Sequence, residues 1–240
     1  MANLYGAHIT WCGHAAFRIQ HGTHGFYIDP FLQGNPKCPA AEKTPHAAEA
    51  VFLTHGHMDH AADAAAVIKK NPQAKAVCMV ELAPWLTRQG VPEGQVIAMN
   101  FGGTVEAAGV KATMVPAVHT SSVQENGQTL YAGEPAGYVF VFPGGLRLYH
   151  AGDTAVFGDM KLIGELHRPE IAMLPIGGHY TMGPREAAHA CKLLGVQAVI
   201  PMHYGTFPVL NGTPAESTTS GPTPPRLTIL SSRLGAPASS

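Results

Sequence analysis

The sequence predicts an α/β fold built as one large domain. Three observations carry that prediction. Short apolar runs recur along the chain, some with no break that would give them a solvent face. Breaker-free stretches that read as helices lie between them. The 27 glycines and 20 prolines fall largely at the ends of the apolar runs, where they punctuate strands and helices. A length of 240 residues suits one sizeable core, so folding alone needs no disulfide or structural metal.

The elements follow in order. Ala7–Trp11, Ala15–Gln20 and Gly25–Ile28 read as short strands, separated by Gly13-His14 and by His21-Gly22-Thr23, with Pro30 closing the third. Residues 36–45 read as a loop. Ala50-Val51-Phe52-Leu53 is an apolar run typical of a strand covered on both faces. After it, Ala61–Lys70 reads as one helix ended by Asn71-Pro72. Ala76–Val80 is a strand, Leu82–Gln89 a helix stopped by Gly90, and Val96–Met99 a strand. Val110–Val115, Gly137–Phe142 and Leu146–Tyr149 suggest a second sheet, the last two joined through Pro143-Gly144-Gly145. Asp159–His167 is a short helix and Ile171–Leu174 a buried strand. Pro184–Leu194 is a helix capped by Gly183, with Pro184 at its first position, Glu186 in its first turn, and Ala187, Cys191 and Leu194 on one face. Gln197–Met202 is the last clear strand.

Residues 1–210 form the expected domain. Residues 211–240 are rich in Gly, Pro, Ser and Thr and are expected to be poorly ordered. That stretch opens with Thr213-Pro214-Ala215-Glu216, a capping box with proline at the first helical position. Ser217–Pro225 then breaks the helix, and only Leu227–Leu230 has strand character.

Composition narrows the function. Apolar residues make up 45% of the chain and charged residues 13%, which excludes a disordered polyelectrolyte. Fifteen Lys and Arg against sixteen Asp and Glu lack the basic footprint of a nucleic-acid binder. No run of eighteen apolar residues suggests a membrane span. Met1–Thr10 has neither a basic start nor an apolar h-region, so no signal peptide is expected. Cys12, Cys38, Cys78 and Cys191 are scattered with no CxxC, which predicts reduced, mostly buried thiols in a cytoplasmic protein. The partner expected is a small molecule. A homo-oligomer is compatible with the sequence; nucleic acid and membrane are not expected.

Fourteen histidines are the unusual feature, because imidazole is the commonest metal ligand. The sharpest cluster is His55-Gly56-His57-Met58-Asp59-His60. In an extended segment His55 and His57 point the same way, while Asp59 and His60 open the following helix. One turn can therefore offer two nitrogens to one ion, and a carboxylate plus a nitrogen to a second. His119, Asp153 and His203 each follow an apolar run, at the carboxyl ends of strands where α/β proteins build their sites. Together with the first motif they complete two metal shells.

The spacing resembles the metallo-β-lactamase superfamily. Further phrases are similar to one branch, the bacterial metal-dependent hydrolases that resemble ascorbate-6-phosphate lactonase. They are Gly13-His14, Ile28-Asp29-Pro30-Phe31, Thr54-His55-Gly56-His57, His150-Ala151-Gly152-Asp153-Thr154, Pro175-Ile176-Gly177-Gly178, Tyr180-Thr181-Met182-Gly183-Pro184 and Pro201-Met202-His203-Tyr204. The resemblance implies a four-layer αββα sandwich with the metals in a cleft at one edge. It implies His55, His57 and His119 on one ion, Asp59, His60 and His203 on the other, and Asp153 bridging them. Borderline nitrogen and oxygen ligands suit zinc, with manganese, iron or nickel as alternatives.

The function expected is hydrolysis of an ester, lactone or phosphodiester by a hydroxide shared between the ions. Asp59 also orients that hydroxide, and His14 is expected as a proton donor or substrate contact. Asp29 is expected to orient a ligand imidazole, with Thr54 and His150 serving likewise and His179 lining the cleft. His8, His21, His24, His46, His167 and His189 are read as structural or surface residues. His57 stands where the flavin-dependent diiron branch carries Glu, and Asp153 where true β-lactamases carry Cys. The alternatives are a non-catalytic metal-binding or sensor protein on the same fold, and a glyoxalase-type thioesterase. The latter adds a helical substrate domain after the last histidine, where this chain is breaker-rich.

Overall fold

The structure is a computed structural model that describes residue 4 and residues 6–219, 228–229 and 233–234. The first sheet begins with β1 (Ala7–Trp11), β2 (Phe17–His21) and β3 (His24–Ile28), an antiparallel meander in which Ile9 faces Ile19 and Ile19 faces Phe26. β4 (Ala50–Phe52) then runs parallel to β3. Two short helices follow, α1 (Met58–Ala61) and α2 (Ala64–Lys70). Next come β5 (Lys75–Met79), α3 (Ala83–Arg88) and β6 (Val96–Met99), with both strands extending the parallel part.

The second sheet starts with β7 (Thr104–Ala107) and β8 (Val110–Pro116). A separate hairpin, β9 (Ser122–Glu125) and β10 (Gln128–Tyr131), stands outside both sheets. β11 (Ala136–Val141) pairs with β8 and with β12 (Arg147–His150). α4 (Met160–His167), β13 (Ile171–Pro175), α5 (Pro184–Leu194) and β14 (Ala198–Met202) complete the parallel half. α6 (Pro214–Thr219) follows, then β15 (Thr228–Ile229) beside β14 and β16 (Arg233–Leu234) beside β1. Each large sheet thus has seven strands, in the orders β16-β1-β2-β3-β4-β5-β6 and β15-β14-β13-β12-β11-β8-β7.

Side-chain alternation explains the layering. In β4 and its exit, Ala50 and Phe52 join the cluster between the sheets, while Val51 and Leu53 join an outer cluster with Val67 and Ile68 of α2 and Leu86 of α3. β5 divides the same way, Val77 and Met79 inward and Ala76 and Cys78 outward. Phe52 meets Phe140 of the second sheet edge to face at 4.9 Å, which fixes the sheet-on-sheet contact. Met160 and Ile163 of α4 and Ala187, Cys191 and Leu194 of α5 pack on the second sheet. The result is the αββα sandwich of the metallo-β-lactamase type.

Several elements differ from expectation. The single helix 61–70 is two helices, because Asp63 leaves the helical ladder. Its amide bonds to the Pro30 carbonyl, and its carboxylate accepts the Leu32 and Gln33 amides at 2.6 and 3.1 Å. Strand β7 and the β9–β10 hairpin were not anticipated. Asn126 and Gly127 both take left-handed φ, 50° and 76°, as a type I′ hairpin turn requires. The Glu216 half of the capping box forms, with Glu216 accepting from the Thr213 amide and hydroxyl at 2.8 and 2.9 Å. Its helix runs two residues past Ser217, where a break was expected. The rest of the 211–240 stretch, apart from β15 and β16, lies outside the described residues. All four cysteines are buried and free. Among the described residues, no helix is long and apolar enough to cross a membrane.

Candidate metal centre

Four strands deliver the centre at their carboxyl ends. β4 leads through Leu53 and Thr54 into His55-Gly56-His57, and α1 then presents Asp59 and His60. β8 exits toward His119, β12 toward Asp153 and β14 toward His203. Gly56 is required where it stands: a Cβ there would lie 2.7 Å from Ala132 Cβ and 2.9 Å from Val123 Cγ1. Gly152, at φ +62°, lets the chain turn into Asp153 where a side chain would meet the Ala136 carbonyl.

Two groups of donor atoms face the cavity side, and a third, Asp29 with His55 and His60, lies fully buried. One nitrogen each from His55, His57 and His119 lie within 4.8 Å of one another. So do one donor each from His14, Asp59, His60 and His203. Asp153 Oδ2 lies between the groups, 2.9 Å from His203 Nε2, 3.3 Å from His60 Nε2 and 3.7 Å from His119 Nε2. His55 Nε2 and His57 Nδ1 face each other at 3.0 Å.

Behind this centre one carboxylate sets two rings. Asp29 Oδ2 accepts from the Thr54 hydroxyl at 2.6 Å and from His60 Nδ1 at 2.8 Å, while its Oδ1 accepts the Thr54 amide. The Thr54 hydroxyl has one proton, given to Asp29, so it accepts from His55 Nδ1 at 3.0 Å. Both imidazoles therefore carry hydrogen on Nδ1 and turn Nε2 inward when a cation is bound, the arrangement a metal-ligating histidine needs. Asp29 holds this place at φ +46°, and His14 and His203 are also left-handed, at +57° and +55°. Three of the seven left-handed non-glycine residues among the described ones thus meet at this centre, and strain of that kind is often kept at working sites.

The donor set fits divalent metal. Burial disfavours charge on Asp153, yet the His203 and His60 rings hold its carboxyl well below the usual range. Burial equally opposes a proton on His60, and the Asp153 and Asp29 carboxylates hold its imidazolium well above the usual value. In a cation-free chain a proton thus stands where a metal would. His60 Nε2, His203 Nδ1 and Asp153 Oδ1 are buried without a hydrogen-bond partner, and no Lys or Arg lines the adjoining cavity. Imidazoles and carboxylates converging without a fixed cation call for one.

The other expected residues take different places. His14 is fully buried and does not line the cavity. Its Nε2 bonds Asp59 Oδ2 at 3.0 Å and its Nδ1 meets Thr206 Oγ1 at 3.0 Å, so it braces that carboxylate from behind. Burial lowers its pKa to about 4, against the Asp59 hydrogen bond, so it is neutral near pH 7. Its carbonyl accepts the His203 amide at 2.9 Å. His150 does not reach the cleft. Its ring spans the Ala15 carbonyl and the Gly152 amide, each at 3.1 Å, and steadies the turn before Asp153. His179 is exposed, set against Tyr180 at 4.4 Å, and does not line the cavity. Burial keeps Thr206 out of sequence reach, since its role depends on how the loop after His203 folds back. Thr120, Tyr180, Phe207 and Val209 were also missed, and they line the cavity beside His57, Asp59, His119, Asp153 and His203. That cavity has a volume of about 580 Å³.

Residues 24–204 match the family model described as the beta-lactamase superfamily domain. The UPF0173 metal-dependent hydrolase of Koribacter versatilis is 50% identical over 216 residues, which cover 89% of this chain and 91% of the relative. The corresponding protein of Rubrobacter xylanophilus is 49% identical over 215 residues, 89% of this chain and 88% of its own length. The chain belongs to the UPF0173 metal-dependent hydrolases. This metal-dependent hydrolase is also similar in structure to Igni18, a metallo hydrolase of Ignicoccus hospitalis, with a TM-score of 0.78, 34% identity, and 93% and 94% of the two chains covered. An isothiocyanate hydrolase from Delia radicum gut bacteria, TM-score 0.65 and 21% identical over 88% of this chain and 90% of its own, shares the fold.

Proposed function

We propose that this hydrolase holds two divalent cations, zinc by the character of its ligands, and cleaves an ester, lactone or phosphodiester of a small molecule. His55, His57 and His119 would hold one ion, Asp59, His60 and His203 the other, and Asp153 both. The observation that carries the reading is the place of Asp153 Oδ2, within 3.7 Å of histidines from both groups. When bound, such a metal pair supplies an acidified water as nucleophile and polarises the electrophilic oxygen.

The chain's own groups do the rest. Asp59 lines the cavity, and His14 engages one of its carboxylate oxygens. Burial raises its pKa, but the His14 hydrogen bond and nearby His60 outweigh that and keep it ionised. It is therefore placed to accept a hydrogen bond from an attacking water and fix its direction. Asp29 and Thr54 keep the His55 and His60 rings from rotating.

The test is Asp153→Ala with metal analysis and a panel of lactone, ester, thioester and phosphodiester substrates. Loss of both bound metal and turnover is expected. Full activity in this variant overturns the shared-ligand role. Two bound ions in the unaltered protein with no turnover on any substrate would favour a sensor.

A further inference from the structure

Apart from the candidate metal ligands, the cavity wall consists of Thr120, Tyr180, Phe207 and Val209. Tyr180 is 59% exposed, Phe207 36% and Val209 42%. Large apolar groups kept partly in water on a concave wall beside a polar centre mark the seat of an apolar ligand portion. The wall offers a second anionic group no fixed positive charge, since the side chains that pair most strongly with phosphate or carboxylate are Arg and Lys and neither lines the cavity. One cluster of cations among the described residues lies elsewhere. Arg147, Lys161, Arg168 and Lys192 line a different cavity, by the start of β12, whereas Asp153 follows its end.

Building on the proposed hydrolysis, we infer that the substrate is an uncharged ester or lactone carrying an aliphatic chain, which lies against Tyr180, Phe207 and Val209. The reaction consumes one water. A C–O bond forms at the acyl carbon, the acyl–oxygen bond breaks, and the products are a carboxylate, an alcohol and one proton. A phosphorylated sugar lactone is disfavoured, because no Lys or Arg of the cavity lining would pair with its phosphate.

The experiment uses the full chain loaded with zinc and follows proton release with an indicator dye. The substrates are γ-lactones with alkyl chains of increasing length and a phosphorylated gluconolactone of similar size. Each added methylene is expected to raise kcat/KM roughly threefold until the wall is covered, and the phosphorylated lactone to be the poorest substrate. Phe207→Ala and Val209→Ser should each flatten the chain-length slope, and either variant suffices if the other does not fold. The matching γ-lactams, not hydrolysed, should bind in calorimetry with the same rank order. Turnover with no chain-length slope, or preference for the phosphorylated lactone, overturns this inference and leaves the hydrolase reading intact. Cleavage of diesters but no lactone does the same. No turnover of any substrate by protein shown to hold its metal overturns both.

Discussion

Asp29 governs two imidazoles at once, His60 directly and His55 through the Thr54 hydroxyl. An amide in its place has one accepting oxygen and an NH2 that only donates, so Asp29→Asn must turn that NH2 either on the Thr54 amide or on the Thr54 hydroxyl and His60 Nδ1, and cannot serve all three donors. The variant should fold and bind metal at least about tenfold more weakly, as measured by competition with a chromophoric chelator. Unchanged affinity would show that ring orientation is fixed elsewhere. At this scale the sequence is legible wherever the candidate donors are local. His55, His57, Asp59 and His60 are within six residues of one another, and their side-chain directions follow from strand and helix geometry. Thr206 could not be read the same way. Its hydroxyl meets His14 across 192 positions, and no local pattern encodes that approach. The burial of His14 is equally a tertiary property, and it is what sets the ring against Asp59 from behind.

Among elements, the strand β2 is tied to the turn at residues 40–42 by Arg18, whose guanidinium donates to both oxygens of Glu42 at 2.8 and 2.9 Å. Hydrogen bonding from Arg18 holds the Glu42 carboxyl below its ordinary range. A carboxyl depressed in the folded state stabilises above its unfolded pKa of about 4.3, and that contribution fades as pH falls through the lower folded value. Glu42→Gln should therefore melt roughly 3–6 °C below the parent at pH 7. The gap should close in thermal scans taken progressively below pH 4. A constant gap would mean that the pair contributes by packing alone. The strands of the two sheets were legible because β3, β4, β5, β11, β13 and β14 bury nearly every side chain and so read as apolar runs. The β9–β10 hairpin was not, since its strands are short and largely polar. Its one signal was Asn126-Gly127. The break after α1 was equally hidden, because Asp63 leaves the helix to serve the loop at Leu32 and Gln33.

Across the whole molecule, the candidate centre takes its donor groups from both sheets. His55, His57, Asp59 and His60 follow β4 of the first, while His119, Asp153 and His203 follow strands of the second. The interior between the sheets is largely apolar, whereas their edge at this centre carries buried carboxylates and imidazoles, with His60 Nε2, His203 Nδ1 and Asp153 Oδ1 left without hydrogen-bond partners when no cation is present. Stripping the metal with a strong chelator should lower the melting temperature by at least about 5 °C, the effect of a ligand held a hundredfold above its Kd. Calorimetric scans of stripped and reloaded protein would check this, and coincident traces would refute it. Ions placed across that edge would act as rivets between two leaves of the chain. The first motion on losing them would then be a parting of the leaves at the catalytic mouth, long before the greasy seam between Phe52 and Phe140 gives way, so an enzyme starved of metal would gape before it unfolds.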